Sequence, residues 1–589
     1  MKKRSMKRTC QMIALAILIF AMAMLTSCGG GGSKSSGGYD GYYMNYMTAS
    51  VPTLNFLTDS SGGSASEVRG RTSLRLYNYF PDGQGFAKLE GELAESDPVS
   101  MNDDGTVWQV KLRENAKWAN GDPITAEDFV FSMQTAFDPD MVYSEGTKLA
   151  SGIITIKNAQ KYTEQNAPGN SKVDWSEVGV QKVDDYTVEI TTDKVATAVK
   201  IKQHFATGVS LLVHKPTYEA CWDASHTVND YGSTLDKFMC CGSYILSEWV
   251  TDSKYVLTKN PDYVRADEIK LPGIVYRVIE DNNTALEMFL RGELDQVSLG
   301  SADIENYKND PRYKADPPPQ QINVLINNRN TGNNGILNNV NFRKALFYGT
   351  DRAKIAELRN TIPATYILGT KMVIDESGTT FRSLASSQEY LAANNGYDPT
   401  LAKECYDKAM EECGLTSLSL TVIYSESSPN QRPIAEYVQK SWPEIFGNSF
   451  SLSLDPKPSS VAYKQRKGWT SNPNSYELAL EGYVPTDNIL LSALQSYTTG
   501  YPNANEYNNN SKVDELYEEA VYGERAQTDN DYLVSLCQQM EKELIYSDYI
   551  TVPVFEIPKA WLLSERVTLA VEDRVPGAGW LLDFAEIKE

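Results

Sequence analysis

Three histidines, His204, His214 and His226, are the only imidazoles in the 589 residues, and none has the close spacing that metal ligation requires. A Gly-x-Ser-x-Gly elbow for acyl transfer and a Gly-rich loop ending in Gly-Lys-Ser/Thr for nucleotide phosphates are both missing. "GQGFAK", from Gly83, begins as a dinucleotide loop would, but Lys88 stands where the third glycine belongs, so it reads as a plain loop. "NDDGT", from Asn102, opens with the spacing of a calcium loop. The bidentate Glu needed six residues after Gly105 is Lys111, so this stretch reads as a hairpin turn. A carboxylate pair of the kind that hydrolyses glycosides stays open, because Asp and Glu total 77 and spacing alone does not choose among them. The reading is a non-enzyme with no metal and no cofactor.

Cys28 is the one side chain whose surroundings specify a covalent step. Lys2, Lys3, Arg4, Lys7 and Arg8 precede an apolar run from Gln11 to Met24, too short and wrongly flanked for a membrane span, and typical of an export signal. Leu25-Thr26-Ser27-Cys28 resembles the lipobox of bacterial lipoproteins, which implies removal of residues 1–27 and acylation of the Cys28 thiol. An ordinary leader with an incidental cysteine is the alternative. Several acyl chains on one residue anchor firmly where a single chain does not. Residues 28–38, rich in Gly and Ser, would then be a flexible tether.

The chain carries a formal charge of −22, and its leader is basic, so the body beyond it is more acidic still. Nucleic acid and anionic lipid heads are disfavoured as partners. So long a chain exceeds one hydrophobic core, and two or three domains are expected. Tyrosine is abundant, 35 against 17 Phe, which suits either a wet cleft or half-buried strands. Beyond Cys10 and Cys28, cysteines stand at 221, 240, 241, 405, 413 and 537, and their pairing is open. Cys405 and Cys413 share an expected helix capped by Asp398 and closed at Gly414. Eight residues at about 1.5 Å each separate them by about 12 Å, beyond disulfide reach.

The elements that position the rest follow from periodicity. Thr106–Leu112 alternates as a strand, Val183–Thr191 begins with an Asp-Asp turn and alternates as another, and Thr125–Phe137 reads as a helix with Thr125 and Asp128 as a capping box. Two strands flank a turn at Thr251-Asp252-Ser253. "IVYRVI" reads as a strand and "NTALEMFLRGEL" as a helix ending at Gly292. "SLSLTVIYS", "SFSLSLDP" and "YELALEGY" read as strands, separated by helices such as Pro433–Trp442. Ser511–Tyr522 reads as a helix with Ser511 and Asp514 as its box. Strands alternating with helices in the second half predict α/β domains.

On these blocks the chain resembles the bacterial extracellular solute-binding proteins of family 5, closest to the oligopeptide-binding branch. "GELAES" followed by "DDGTVWQVKLRENAKWANGDPITAEDFVFSMQTAFDP" is similar to the family's long signature block. "CCGSYILSEW", "LTKNPDYV", "DNNTALEMFLRGELD", "INVLINNRN", "VNFRKALFYGTDRAKI", "VDELYEEAV" and "ITVPVFEIPKAWLL" follow in its order. The resemblance implies an α/β, two-lobed periplasmic-binding-protein type II fold (Venus flytrap, cluster C), with an extra domain inserted in the N-terminal lobe. By analogy lobe I comprises 39–75, 193–241 and 553–589, the insertion 76–192, and lobe II 242–552. The function implied is capture of peptides between two closing lobes and delivery to the permease and ATPase subunits of an ABC importer.

The resemblance breaks at one place. Oligopeptide-binding relatives carry a strand of the form F-D-x-A-x-x-G-W-x-A-D-Y whose Asp pairs with the peptide ammonium, whereas this chain reads "YELALEGYVPTDNILL". Tyr476, Glu477 and Ala479 match, Gly482-Tyr483 stands for G-W, and the Asp is absent or displaced. By resemblance Asp487 is the preferred ammonium partner and Glu481 the second, against a helix N-cap and a solvent-facing strand residue respectively. Asn488 lies close by, Tyr483 would line the cleft in place of Trp, and Tyr143 falls where relatives offer an aromatic from the inserted domain.

The missing Asp keeps a second reading open, a family-5 receptor for a metal chelate, haem or an oligosaccharide. A surface signalling or adhesion protein on the same fold is a third. The expected setting is outside the cell, on the outer face of the cytoplasmic membrane or facing the periplasm of a two-membrane host, as a monomer held to the bilayer through Cys28.

Overall fold

The computed structural model describes residues 39–588 apart from 58–62, 142, 144–145, 147–148, 208–209, 360, 375–378, 427, 429, 459–460, 463–464, 467–471, 484–489, 500, 502–509, 573–574 and 576–578. Tyr42–Glu589 forms one compact unit; of the separate unit before it, Met1–Gly41, only residues 39–41 are described. The leader, Cys28 and the Gly/Ser tether therefore lie outside the described residues. Among the described residues no helix is long and apolar enough to cross a membrane.

The alternating stretches become strands because their apolar residues share one face. In Val107–Lys111 the buried residues are Trp108 and Val110, and the strand pairs with Thr187–Thr191, which buries Val188 and Ile190. With Val99–Ser100 and Val180–Asp184 they form a four-stranded sheet. The helix Ala126–Ala136 brings Phe129 and Met133 into the same core. Thr125 is its N-cap: the Asp128 carboxylate accepts from Thr125 N at 2.8 Å and from Trp118 Nε1 at 3.2 Å. "NDDGT" is the expected turn, with Asn102 Oδ1 accepting from Thr106 N and Val107 N and Gly105 at φ 62°.

A second four-stranded sheet runs in the order Tyr43–Met47, Gly273–Val278, Lys254–Lys259, Tyr244–Val250. Its hairpin turns at Asp252, which adopts φ 58°. One continuous core joins both sheets and takes in Trp561, Trp580 and Leu582 from the end of the chain.

The second half is built on a seven-stranded sheet. Two long strands, Tyr313–Ile326 and Thr551–Leu563, lie antiparallel at its centre and are called here the first and second crossing strands. At one end Gln296–Leu299 pairs with Ala560–Leu563. At the other, Leu478–Tyr483 pairs with the first crossing strand, and Leu418–Ser425 and Phe450–Lys457 follow in parallel. The helices Val340–Tyr348, Pro399–Glu412 and Gln431–Phe446 cover one face, burying Phe342, Tyr406 and Trp442 on Ile322, Val324 and Ile326.

Two local expectations change. The helix expected over Pro433–Trp442 spans Gln431–Phe446 and passes through Pro443. A proline so near the end disturbs little, and burial of Phe446 at 1 % exposure favours the extra turn. The helix Ser511–Tyr522 is capped by Asn510 rather than Ser511. Its Oδ1 accepts from Lys512 N and Val513 N, while Asp514 accepts from Thr499 N instead of closing a box. "VDDYTVEIT" opens on the expected Asp-Asp turn: Val183 and Asp184 end one strand and Thr187 begins the next, with Asp184 Oδ1 accepting from Tyr186 N. Cys405 lies midway along the helix Pro399–Glu412 and Cys413 is its C-cap, and all six described cysteines are free thiols.

Candidate functional site

The register of the two crossing strands slips between Asp316 and Gln320, and at that point their neighbours change. Immediately beyond the slip a row of residues runs across four strands, Tyr483, Gln321, Glu556 and Ile362. Ser425 and Tyr483 end the parallel strands Leu418–Ser425 and Leu478–Tyr483, and in α/β sheets ligands collect beyond such carboxyl ends.

The strand Leu478–Tyr483 and the residues leading into it are held by side chains that the sequence motif contains. Asn327 and Asn330 of "INVLINNRN" both donate to Tyr476 O, at 2.7 Å and 2.8 Å. Glu477 accepts from Thr421 N at 2.7 Å, and burial pushes its carboxyl above the usual range. The Tyr476 ring is buried with Leu325, Ile423 and Ala479.

Of the residues expected at the site, Glu481 lies on this strand opposite Asn323, and its carboxylate pairs with Arg466 Nη2 at 2.8 Å. Arg466 is 3 % exposed and Glu481 23 %, so the pair is largely withdrawn from water. The backbone of Tyr483 ends the strand opposite Gln321. Asp487 and Asn488 lie outside the described residues. Tyr143 is 5 % exposed within the first core, and its hydroxyl lies 3.4 Å from that of Tyr218.

The structure adds a group that pattern reading missed. Glu556, the one acid in the apolar run "ITVPVFEIPKAWLL", is 1 % exposed. Its Oε1 accepts from Thr370 N at 2.8 Å and its Oε2 from the Tyr366 hydroxyl at 2.9 Å. Glu541, fully buried on the helix Asn530–Lys542, accepts from Ile367 N at 3.0 Å and Leu368 N at 2.8 Å and pairs with Arg382. Three amides of the turn 366–370 thus end on two buried carboxylates. Gln321 Nε2 donates to Tyr366 O, tying the same turn to the row. A lone charge in an apolar strand was the signal available, since a buried acid is informative where a buried Leu is not. Burial raises the Glu556 carboxyl above the usual range, against the Thr370 and Tyr366 bonds and the nearby Arg382 guanidinium.

Two of the histidines are packed into the scaffold. His204 is buried against Leu149 O, which leaves its imidazole pushed down to about 4, and His214 packs on Trp118. Among the described residues no group of three or more His, Cys, Asp or Glu could hold a metal ion.

Away from the row, the segment around Lys194 meets the helix Ser511–Tyr522. Lys194 Nζ lies 2.7 Å from Glu518 Oε1 and 4.1 Å from the Tyr522 ring centroid, and Lys200 Nζ donates to Val521 O. Gln495 Nε2 donates to Gly152 O at 3.0 Å. A concavity of 620 Å³ beside Lys194, Glu515 and Glu519 shares no residue with the row.

The description "Bacterial extracellular solute-binding proteins, family 5 Middle" matches residues 88–472, more than half of the chain. The chain belongs to bacterial extracellular solute-binding protein family 5. A dipeptide-binding protein of Lactococcus lactis subsp. cremoris is 26 % identical over 525 residues, covering 85 % of this chain and 88 % of that one. Among solved structures, an oligopeptide ABC transporter substrate-binding domain from Bacillus anthracis superposes with a TM-score of 0.73 at 21 % identity, over 93 % of this chain and 99 % of its own. Listeria monocytogenes OppA bound to peptide gives a TM-score of 0.71 at 22 % identity, over 93 % and 99 %. This family 5 protein has the two-lobed type II solute-binding fold, and its family binds solutes rather than transforming them.

Proposed function

We propose that this protein is the exported receptor of a peptide-importing ABC transporter, which captures peptides in the cleft bordered by the row Tyr483–Gln321–Glu556 and presents them to a membrane permease. The observation that carries the reading is that row: a strand end beside two strands that pass between lobes, in a chain whose relatives are called dipeptide- and oligopeptide-binding. Beyond the end of Leu418–Ser425, a peptide backbone can hydrogen-bond to the backbone of such a strand end without regard to side chains. Hinge closure then buries it, provided the ligand makes contacts that exist only when the lobes are closed. Asp487, Asn488 and Tyr483 are the residues we assign to the ligand, with Asp487 on the ammonium. Cys28 would carry the lipid anchor, with 28–38 as tether and the body acting as a monomer at the outer membrane face. The inserted domain we assign to 76–192.

The ion pair of Glu481 with Arg466 favours the second reading, a non-peptidic solute, because the nearer carboxylate already has its cation. Native mass spectrometry on the protein beginning at Gly29, with acid release and sequencing of what co-purifies, separates the two. A heterogeneous set of short peptides supports the first reading, and one dominant non-peptidic mass overturns it.

A further inference from the structure

The turn 366–370 is held from two sides, and the two holds differ in kind. Glu541 has a guanidinium beside it, from Arg382, as well as the Tyr390 hydroxyl at 2.5 Å. Glu556 has only neutral donors in hydrogen-bond contact, Thr370 N and the Tyr366 hydroxyl. It stands in the row, one strand from Gln321 and two from Tyr483. Gly369 leaves the space: a Cβ there would come 2.5 Å from Glu556 Oε1. A buried carboxylate whose hydrogen bonds come from neutral donors, with the Arg382 guanidinium acting only through space, is costly, and that cost is borne where geometry at a site depends on it.

We propose that Glu556 is a positioning residue for the ligand, its charged carboxylate locking the turn 366–370 and, through Tyr366 and Gln321, the end of the strand Leu478–Tyr483 against which the ligand lies. This rests on the peptide reading. Hydrogen bonds from an amide to a carboxylate are about twice as strong as those to a neutral acceptor, so protonating or neutralising Glu556 loosens the turn without emptying it. Facing Glu556 are Tyr366 from the turn and Arg382 from the helical turn Phe381–Ser383; Gln321 and Ile362 of the neighbouring strands carry no charge. Glu541 and Tyr390 stand one contact further, beyond Arg382.

The test uses Glu556→Gln and Gly369→Ala. The second displaces the flexible carboxylate end rather than backbone, so the fold survives it. Hydrogen exchange of the ligand-free protein reads the turn directly, and a mixed library of short unmodified peptides reads affinity from about pH 7.5 down to about pH 4.5. Both variants should exchange faster at 366–370 and bind about fivefold more weakly at neutral pH. The loss of affinity that wild type shows on acidification should be flattened in Glu556→Gln, a change that a merely structural role would not produce. Unchanged exchange, or faster exchange with unchanged affinity, overturns the proposal. Wild type taking up no peptide is the failure of the peptide reading alone, since the exchange comparison needs no ligand and still decides the turn.

Discussion

Lys200 reaches from one core to another: its Nζ lies 2.5 Å from the carbonyl oxygen of Val521, in the last turn of the helix Ser511–Tyr522. Partial burial lowers the ammonium from its ordinary 10.5 to about 8. On the hinge motion proposed above, opening the lobes would return it to water, so the open form would hold the proton more tightly and closing would release it. Closure should therefore strengthen as pH rises from about 8 to 10.5. Solute affinity measured by calorimetry should rise about three- to tenfold across that window, and Lys200→Met should remove the slope. A slope that persists in the variant assigns it to another group.

Arg382 and Glu541 are 4 % and 0 % exposed, and each is the other's ion-pair partner. Removing either alone strands a buried charge, a loss of about 3–5 kcal/mol. Arg382→Leu and Glu541→Leu should each lower the denaturant midpoint sharply. The double variant should cost less than the sum, as equilibrium unfolding of all four proteins would show.

The charge on Glu481 is already answered by Arg466, whereas Asp487 is our assigned ammonium partner. Asp487→Asn should weaken unmodified peptides about tenfold or more and leave N-acetylated peptides alone, because an unpaired ammonium in a closed cleft is costly. Glu481→Gln should not separate the two ligand classes. Competition between acetylated and free peptides, read by mass, tests both variants together.

Asp128 holds Thr125 N and the Trp118 indole in one grip. Asp128→Ala should cost about 1–2 kcal/mol by loss of the cap, seen as a lower melting temperature with solute affinity retained.

The same residues explain how far the sequence could be read. The signature blocks turn out to be clasps of the scaffold. Glu92 of "GELAES" accepts from the Tyr263 hydroxyl of "NPDYV" at 2.8 Å, and Asp295 of "GELD" accepts from Met44 N at 2.7 Å and pairs with Arg566. Arg352 of "TDR", fully buried, donates to Pro553 O at 2.6 Å on the second crossing strand. Such motifs report how lobes are built, and they located the fold well. Helix ends were less legible, because Asn510 competes with Ser511 for the cap and Pro443 is tolerated within a last turn. The site was least legible. Glu556 matters through a pairing with residues far away in the chain, Gln321 and Tyr366, which no local period encodes. Tyr143, expected by resemblance to face the cleft, has its ring within the first core.

The second crossing strand reaches its place late. Residues 551–557 lie at the centre of a sheet whose other strands are made up to some 250 residues earlier, and Trp561 and Leu563 complete the first core, which begins at Tyr43. Neither half can finish its hydrophobic core until the last part of the chain has been delivered. During synthesis and passage across a membrane, the polypeptide is thereby kept from settling into its mature form, as a threading route demands, and the long-range pairing sets a slow final step. The arrangement that joins the lobes also times their appearance: the hinge is the keystone, laid after the stones it locks.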